Sequence, residues 1–282
     1  MISFYWDIHL ACNYKCPYCW WFGKEEEIKE KNFYASIDKV IDAWKRIYDK
    51  YGKVKLAITG GEPFLYPDFD KFLVEISKLH EILVITNLEL FEESLIERIQ
   101  YKENLTINPS FHPLSAKIES FTRKAKILED NKMLKAISLV AYPIFIKDID
   151  NYKTIFKKAG VLHELSLQPY TGVFNNKSYP DSYTEEERCK IGLSIAKRGE
   201  ENFLMKTFSP IGKKCNAGKI YGQISPNGNV KKCGGWSHNS DTFIGNIFDA
   251  DFEMLKESCI CDCYSCPCNE WAFLLVKEDD IK

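Results

Sequence analysis

The sequence lacks any apolar segment long enough to span a lipid bilayer, since its longest apolar runs have only the length of β-strands. Ser3 to Leu10 is too short and too polar for an export signal, and no basic segment precedes it. A formal net charge of −2 over 282 residues gives no reason to expect general affinity for nucleic acid or anionic membranes. We therefore expect a cytoplasmic protein whose partners are neither nucleic acids nor membranes.

Cysteine, by contrast, is abundant, with eleven residues in the chain. Disulfides, zinc sites, iron–sulfur sites and inert core thiols are the possible uses of so many thiols. The odd count, the tight spacings and the missing export signal all argue against disulfides. The spacing of the cysteines therefore has to show whether these thiols bind a metal.

Apolar patterning predicts six strand–helix units in series, an arrangement typical of a parallel sheet with helices outside it. The predicted strands are Ser3–His9, Val54–Thr59, Ile82–Thr86, Leu105–Phe111, Lys135–Tyr142 and Leu162–Tyr170. The predicted helices are Phe33–Tyr51, Asp68–Leu79, Phe91–Gln100, Ser115–Asn131, Asp148–Ala159 and one that starts at the Thr184–Glu187 capping box and stops at Gly199.

The pattern changes near residue 200, where Gly, Asn and Cys become frequent and helical periodicity fades. We therefore divide the chain into a strand–helix domain at residues 1–200 and a small, loop-rich, cysteine-rich domain at residues 201–282.

Three predicted strands carry a polar face, whereas fully buried parallel strands are usually apolar throughout. The polar positions are Tyr5, Asp7 and His9; Thr106, Asn108, Ser110 and His112; and Ser166, Gln168 and Tyr170. These faces either line a wet cavity for a polar ligand, meet solvent or pair with one another. We favour the cavity, because helices on the apolar side already cover the other face. The predicted substrate contacts are Asp7, His9, His112 and Gln168.

Cys12, Cys16 and Cys19 follow the first strand with the spacing C-x3-C-x2-C. Three thiolates on one loop can hold three irons of a 4Fe–4S cube and leave the fourth iron open to another ligand. A zinc site with a distant fourth ligand is the alternative.

A second motif, Gly60-Gly61-Glu62-Pro63, ends the second strand. Its glycines permit close backbone approach, and Glu62 offers a carboxylate to a cationic amine.

The combination of these two motifs, in this order and on these strands, resembles the radical S-adenosylmethionine (SAM) superfamily. The resemblance covers residues 3 to about 170 and implies a partial (β/α)6 barrel. It implies that SAM chelates the open iron, that Tyr18 lies beside the adenine and that the Gly60–Pro63 turn receives the methionine amino group. By the same resemblance, Ser110 contacts SAM, Arg123 pairs with the methionine carboxylate and Asn87 reaches the ribose. A solvated helix charge for Arg123 and a simple turn role for Asn87 remain open.

The resemblance also implies one-electron chemistry. An electron donor such as flavodoxin or ferredoxin reduces the cluster, SAM is cleaved, and the 5′-deoxyadenosyl radical takes a hydrogen atom from the substrate.

A second cysteine pattern begins with Cys215-x12-Gly228-x4-Cys233, around a predicted hairpin with its turn at Asn227-Gly228. A hairpin brings its ends together, so both thiolates can meet one metal. The pattern continues with Cys259, Cys261, Cys263, Cys266 and Cys268. It resembles the SPASM/twitch extension of radical SAM enzymes, which implies an auxiliary 4Fe–4S cluster on Cys215, Cys233, Cys263 and Cys266. The C-x-C-x-C-x2-C-x-C tail departs from the SPASM spacing, so a second auxiliary cluster and a zinc knuckle stay open. Cys189 is interpreted as an ordinary thiol.

The leading hypothesis is a radical SAM enzyme that oxidises or epimerises a small polar molecule. The cluster loop starts at residue 12 and the chain ends soon after Cys268, so we expect no leader-peptide-binding domain. The alternatives are a maturase that modifies a short peptide and a non-catalytic iron–sulfur electron carrier.

Overall fold

A computed structural model describes residues 1–193, 209–234, 236–237, 242–265 and 274–276. Strands and helices alternate through the first part of the chain in the predicted order. The strands are Ser3–His9 (β1), Lys55–Gly60 (β2), Glu81–Thr86 (β3), Leu105–Pro109 (β4), Ile137–Ala141 (β5) and Leu165–Pro169 (β6). The helices are Glu25–Lys31 (α1), Ile37–Tyr51 (α2), Phe69–Ile76 (α3), Leu95–Arg98 (α4), Ile118–Asp130 (α5), Ile149–Lys158 (α6) and Glu185–Lys190 (α7).

The strands β1 to β4 are parallel neighbours in one sheet. Strands β5 and β6 form a parallel pair, which two parallel bridges, Ile107 to Leu134 and Ser110 to Ser138, connect to the edge at β4. All six strands therefore end on the same side, and the loops that follow them meet there. This is the α/β architecture with a parallel sheet that the alternation predicts.

The outer face of β1 is the apolar one, as its alternation predicts. Phe4 and Trp6 are buried against α2 and α3: the Phe4 ring lies 5.5 Å from that of Trp44, and the Trp6 ring lies 6.0 Å from that of Phe72. Burial of each such aromatic side chain contributes roughly 1.5–3 kcal/mol. This packing fixes β1 as a central strand and turns its other face inward.

Helix α1 is absent from the sequence prediction because it buries no side chain and so shows no apolar periodicity. Its signal is charge: Glu25, Glu26 and Glu27 occupy the first turn, and Lys29 and Lys31 the last, as the helix dipole favours.

The segment between β6 and α7 contains a second missed feature, a hairpin of Gly172–Phe174 (β7) and Lys177–Tyr179 (β8). Its turn is formed by Asn175 and Asn176, both with positive φ, which is typical of a two-residue hairpin turn. The capping box of Thr184 and Glu187 is confirmed at the start of α7. The predicted stop at Gly199 lies outside the described residues.

The cysteine-rich region contributes strands to the same sheet and to two separate two-stranded sheets. The strands are Lys214–Cys215 (β9), Tyr221–Ile224 (β10), Asn229–Lys231 (β11), Trp236–Ser237 (β12), Phe243–Asn246 (β13), Cys259–Ile260 (β14) and Cys263–Ser265 (β15). Strand β10 pairs in parallel with β1, and the sheet order is β13-β11-β10-β1-β2-β3-β4. The two separate sheets are β9 with β14 and β12 with β15. The predicted hairpin is confirmed as β10 and β11, with Gly228 at φ +84° in its turn. The region after residue 209 is thus joined to the strand–helix part through β1.

Contacts from α2 hold this region in place as well. Arg46 donates to the Phe248 carbonyl at 3.2 Å, and Lys50 donates to the Phe252 carbonyl at 3.1 Å. Within the described ranges, no helix combines the length and apolarity that crossing a membrane requires.

The loops leaving β1 and β2 lie in direct backbone contact, and glycine makes this possible. A Cβ on Gly60, which has φ +129°, would lie 2.0 Å from the His9 carbonyl oxygen, and a Cβ on Gly61 would lie 1.9 Å from that of Ala11. The Gly61 and Glu62 N–H groups donate to those same two carbonyls at 2.8 and 2.9 Å. Any larger residue at position 61 therefore has to separate the two loops.

We predict that Gly61→Ala lowers the melting temperature by at least about 5 °C, because a backbone carbonyl cannot yield as a side chain can. Gly52→Ala is the control: Gly52 has positive φ, at +70°, so the variant carries backbone strain, but no atom lies within 4 Å of its Cβ position. Thermal unfolding followed by circular dichroism checks both. A Gly61→Ala variant that melts at the wild-type temperature would contradict the requirement for glycine at position 61.

Candidate functional site

A cavity of about 430 Å³ opens where β1 to β4 end. It is lined by most of the residues that the sequence motifs identify. These are Cys12, Cys16, Tyr18, Cys19, Gly60, Gly61, Glu62, Asn87, Ser110 and His112. The structure therefore brings the cysteine triplet and the glycine-rich turn, which lie far apart in sequence, to one site.

The three thiols of the triplet lie close to one another. Burial raises the pKa of Cys12, and the nearby Cys19 thiolate raises it further. Burial likewise raises the pKa of Cys16 to about 11, with added repulsion from Cys12 and Cys19. The backbone N–H groups of Tyr14 and Trp21 donate to the sulfurs of Cys12 and Cys19, each at 3.4 Å. Three mutually repelling thiolates with N–H donors suit a cationic iron–sulfur centre, which removes their repulsion and whose binding releases their protons.

In the part of the chain that the structure describes, no three His, Cys, Asp or Glu side chains are arranged as a site for a metal ion. Thiolates around one zinc ion lie about 3.8 Å apart, because Zn–S bonds are about 2.3 Å long. A cube attaches each thiolate to a different iron and spaces the thiolates more widely. The glycine-rich turn that faces the triplet in the same cavity is the feature that favours a cube over a single ion.

Glu62 is buried, and its carboxylate is held by three donors within the protein. Thr86 Oγ1 and the Asn87 N–H donate to it at 2.7 Å each, and the Phe64 N–H donates at 3.1 Å. Burial raises the pKa of Glu62, and the three hydrogen bonds oppose that rise. The sequence assigns this carboxylate to an amine of the ligand, whereas here it fixes the end of β3 against the turn after β2. Pro63 begins the short 3-10 helix Pro63–Leu65 that follows.

His9 lies outside the cavity, contrary to the prediction that it faces a substrate. Its Nε2 lies 2.8 Å from the Glu62 carbonyl oxygen and its Nδ1 lies 3.3 Å from the Tyr34 hydroxyl. The pairing register between β1 and β2 shifts between Asp7 and His9, so simple alternation ends before His9. Its imidazole is fully buried, and desolvation lowers its pKa. His9 therefore supports the glycine-rich turn from behind.

Tyr18 and His112 form a stacked pair on the cavity wall. Their rings lie 5.8 Å apart, and the Tyr18 hydroxyl lies 3.1 Å from His112 Nδ1. Desolvation lowers the pKa of His112 to about 4, so the imidazole is neutral at pH 7. Tyr142 and Phe145 enclose the outer side of Tyr18, with ring centroids 5.1 and 5.8 Å away. This packing presents Tyr18 as a fixed flat surface, as expected of a residue beside an adenine.

Asn87 and Ser110 line the cavity at the ends of β3 and β4. Asn87 Nδ2 donates to Asn13 Oδ1 at 2.8 Å, so this side chain connects the β3 loop to the cysteine loop. The contact of Asn87 with a ribose stays a prediction. The Ser110 N–H donates to the Thr86 carbonyl at 2.7 Å, which places the Ser110 side chain at the cavity.

Three predicted site residues are not brought to this cavity. Arg123 is exposed and pairs with Glu93. Gln168 is exposed on β6, and its Nε2 donates to Ser166 Oγ at 3.1 Å, so these polar side chains pair with each other. Asp7 is half-buried on β1 and does not line the cavity, and desolvation raises its pKa to about 6.

The cavity also includes residues that the sequence motifs do not identify. Trp21, Phe22, Glu25 and Ile28, from the segment after Cys19 and from α1, form one wall, and Lys15 lies between two of the cysteines. Their only signal in the sequence is their position next to the triplet.

A second group of thiols forms in the cysteine-rich region. Cys215, Cys261 and Cys263 are buried in one small apolar cluster, against which Cys233 packs. The Cα atoms of Cys259 and Cys215 are paired across β14 and β9. Thiol contact with Cys233 and Cys261 raises the pKa of Cys263. Of the predicted auxiliary ligands, Cys215, Cys233 and Cys263 therefore lie together, and Cys266 lies outside the described residues.

Cys261 was not among the predicted ligands, although it lies in this group. The C-x-C-x-C spacing contains the signal, because residues at i, i+2 and i+4 of an extended chain share one face.

A profile of the Radical SAM superfamily matches residues 7–138. Among curated proteins, the GTP 3′,8-cyclase of Clostridium botulinum (strain Okra / Type B1) is 27% identical over 195 residues, covering 62% of this chain and 59% of that protein. A probable GTP 3′,8-cyclase of Methanocella arvoryzae is 33% identical over 95 residues, covering 31% of this chain and 29% of that protein. The matches therefore span less than two thirds of the length of these curated relatives.

Two solved structures show the same fold. Native anSMEcpe with bound AdoMet aligns with a TM-score of 0.59 at 19% identity, over 88% of this chain and 78% of that one. SuiB of Streptococcus suis aligns with a TM-score of 0.60 at 16% identity, over 88% of this chain and 63% of that one. The profile match and the paired motifs in one cavity support a Radical SAM superfamily domain at residues 7–138, and that family implies a 4Fe–4S cluster and SAM.

Proposed function

We propose that this protein is a radical SAM enzyme acting on a small polar substrate, by oxidation or epimerisation. The observation that supports it is the convergence of Cys12, Cys16 and Cys19 with the Gly60–Glu62 turn on one cavity. When bound, the cluster and SAM supply a one-electron cleavage that yields a 5′-deoxyadenosyl radical and hydrogen-atom abstraction. An external carrier such as flavodoxin or ferredoxin supplies the electron.

The protein's own contribution is positioning and exclusion of water. The thiols of the triplet would hold the cluster, and the backbone of the Gly60–Pro63 turn would receive the methionine amine. Tyr18 would lie beside the adenine. Trp21 and Ile28 line the cavity and would limit the access of water to a radical formed there.

Cys12→Ala should remove the N-terminal cluster and SAM cleavage together. Loss of a ligand should lower the rate of 5′-deoxyadenosine release at least about 100-fold, the upper range for changes to outer-shell partners of a metal ligand. The control is Cys189→Ala, which removes an exposed thiol on α7. Iron content and 5′-deoxyadenosine are measured after anaerobic reconstitution with SAM and dithionite. A wild-type protein that binds iron but leaves SAM intact would instead favour the electron carrier.

The charges of the cavity lining indicate which class of substrate the cavity can bind. Of its lining residues, all in the described ranges, Lys15 is the only cation, while Glu25 and Glu62 are carboxylic acids and His112 is neutral. Triphosphates are usually bound by several Arg or Lys side chains or by backbone N–H groups. The lining therefore favours a substrate with amino and hydroxyl groups over GTP, the substrate in the names of the curated relatives.

The inner face of β1 supports the same substrate class. Tyr5 packs against the second thiol group, and Asp7 follows on the same face toward the cysteine loop. A carboxyl group whose pKa is raised to about 6 can bind a hydroxyl or amine and exchange a proton near neutral pH. Asp7 and His112 are thus the two predicted substrate contacts that this proposal retains.

His112→Gln should separate substrate turnover from SAM cleavage. Replacing the imidazole should lower turnover about 100-fold, as loss of one positioning contact does, but leave uncoupled 5′-deoxyadenosine formation within about threefold. Candidate substrates are a panel of amino sugars, cyclitols and amino acids, with GTP included, and the readout is substrate-stimulated SAM cleavage followed by product analysis. His163→Gln is the control, because His163 is exposed and pairs with Glu129. Stimulation by GTP alone would overturn the substrate class.

The second thiol group is proposed to hold the auxiliary 4Fe–4S cluster of the SPASM/twitch type. Cys215, Cys233 and Cys263 supply three ligands, and either Cys261 or Cys266 supplies the fourth. The burial of Cys261 beside Cys215 and Cys263 supports Cys261. The cluster would bind the substrate or take up the electron left after hydrogen abstraction.

Cys261→Ala should remove about four irons per chain and leave the N-terminal cluster and uncoupled SAM cleavage intact. Cys266→Ala, made in parallel, should keep the full iron content. Iron and sulfide analysis with Mössbauer spectroscopy of the reconstituted proteins gives the cluster count. If Cys266→Ala loses the irons and Cys261→Ala keeps them, the family's spacing defines the ligands instead. Zinc in place of iron would exclude the auxiliary cluster.

A further inference from the structure

Lys124 is a half-buried cation beside the cluster site that neither the motifs nor the proposed function uses. It follows Arg123 on α5, but the two side chains differ in environment: Arg123 is exposed and pairs with Glu93, whereas Lys124 points toward the loop after β3. Lys124 Nζ donates to the backbone carbonyls of Leu88 and Glu89 at 2.9 and 2.8 Å. It is absent from the cavity lining, so it acts on this loop and not directly on a ligand.

The backbone that Lys124 holds is unusual. Leu88 has φ +63°, a left-handed conformation that residues with a side chain seldom adopt. Its side chain is buried, and its N–H donates to Thr86 Oγ1 at 3.0 Å. The ammonium group on two adjacent carbonyls stabilises a turn that the local sequence does not favour.

This loop in turn holds the cysteine loop. The Tyr14 hydroxyl donates to Glu89 Oε2 at 2.9 Å, and Asn87 Nδ2 donates to Asn13 Oδ1 at 2.8 Å. Within the loop, the Glu89 N–H donates to Asn87 Oδ1 at 2.9 Å, so both anchors belong to one hydrogen-bonded unit. Asn13 and Tyr14 lie between Cys12 and Cys16. A chain of contacts therefore runs from Lys124, through residues 87–89, to the backbone that carries the thiols.

We propose that Lys124 is a positioning residue which, through Glu89 and Tyr14, fixes the cysteine loop relative to the SAM pocket. The proposal rests on the proposed function, because it concerns the geometry between cluster and SAM. Charge supports it: burial lowers the pKa of Lys124, while Glu89 and the more distant Glu62 favour its charged form.

The test is Lys124→Met, which keeps an unbranched side chain of similar length but removes the ammonium group. In the reconstituted enzyme, half-saturation by SAM should need about tenfold more SAM, the factor that 1.4 kcal/mol represents. The readouts are the change in the EPR spectrum of the reduced cluster on SAM titration, and KM against kcat for 5′-deoxyadenosine formation. Lys126→Met is the matched control, since Lys126 lies on the same helix and pairs with the exposed Asp130. Lys124→Arg keeps a cation and should restore most of the SAM affinity.

Tyr14→Phe tests the same chain of contacts from its other end by removing one hydroxyl. If both residues act through Glu89, the Lys124→Met/Tyr14→Phe double variant should weaken SAM binding by less than the product of the two single effects. Independent, multiplicative effects would overturn the proposal. Where Lys124→Met fails to fold, unchanged half-saturation by SAM in Tyr14→Phe would still overturn the proposal, because the proposed chain of contacts runs through the Tyr14 hydroxyl.

The outcomes also separate this inference from the proposed function. A wild-type protein that cleaves SAM, with Lys124→Met and Lys126→Met indistinguishable in EPR titration and KM, overturns the role of Lys124 alone. A wild-type protein that binds no cluster, or ignores SAM, overturns the proposed function itself.

Discussion

The backbone contact between the loops that leave β1 and β2 is the constraint on which the site depends. Gly60 and Gly61 lie so close to the carbonyls of His9 and Ala11 that no side chain fits between them. Because Cys12 follows Ala11 directly, this contact fixes where the thiol triplet begins. The two glycines of the motif are therefore explained by contact with the protein's own backbone, before any ligand is considered.

The close contact between the loops after β1 and β2 also buries the Glu62 carboxylate. With the loops this close, Glu62 is buried in the cavity wall, where Thr86, Asn87 and Phe64 replace its hydration. Desolvation also raises the pKa values of Cys12 and Cys16, which disfavours their thiolates. Iron binding would reverse this balance by releasing protons and removing repulsion. A cationic centre would therefore stabilise this arrangement of thiols.

Strand and helix positions were predictable from the sequence to within a few residues, because apolar alternation on β1 to β6 and amphipathic periodicity on α2 to α6 reflect burial directly. Cavity contacts were predictable where a motif spans consecutive residues, as for Tyr18 or Gly61. They were not predictable where alternation alone was the guide: a register shift turns His9 away, and Gln168 pairs with Ser166. Helix α1 and the contacts of Lys124 could not be predicted from the sequence, because neither the helix nor this side chain contributes an apolar face to the core.

Strand β1 also relates the two thiol groups to each other. Its carboxyl end leads to Cys12, whereas its amino end lies beside the start of β10, where Ser3 pairs with Tyr221. Cys215 precedes β10 and Cys233 follows the antiparallel β11, so both approach that amino end. A seven-residue strand is roughly 20 Å long. The two thiol groups therefore lie toward opposite ends of one rigid strand, and Tyr5 and Asp7 lie on the inner face between them.

A substrate held at Asp7 would have the SAM site on one side and the second thiol group on the other. Under the proposed function, hydrogen abstraction would then occur on the SAM side of the substrate and electron uptake on the side of the second thiol group.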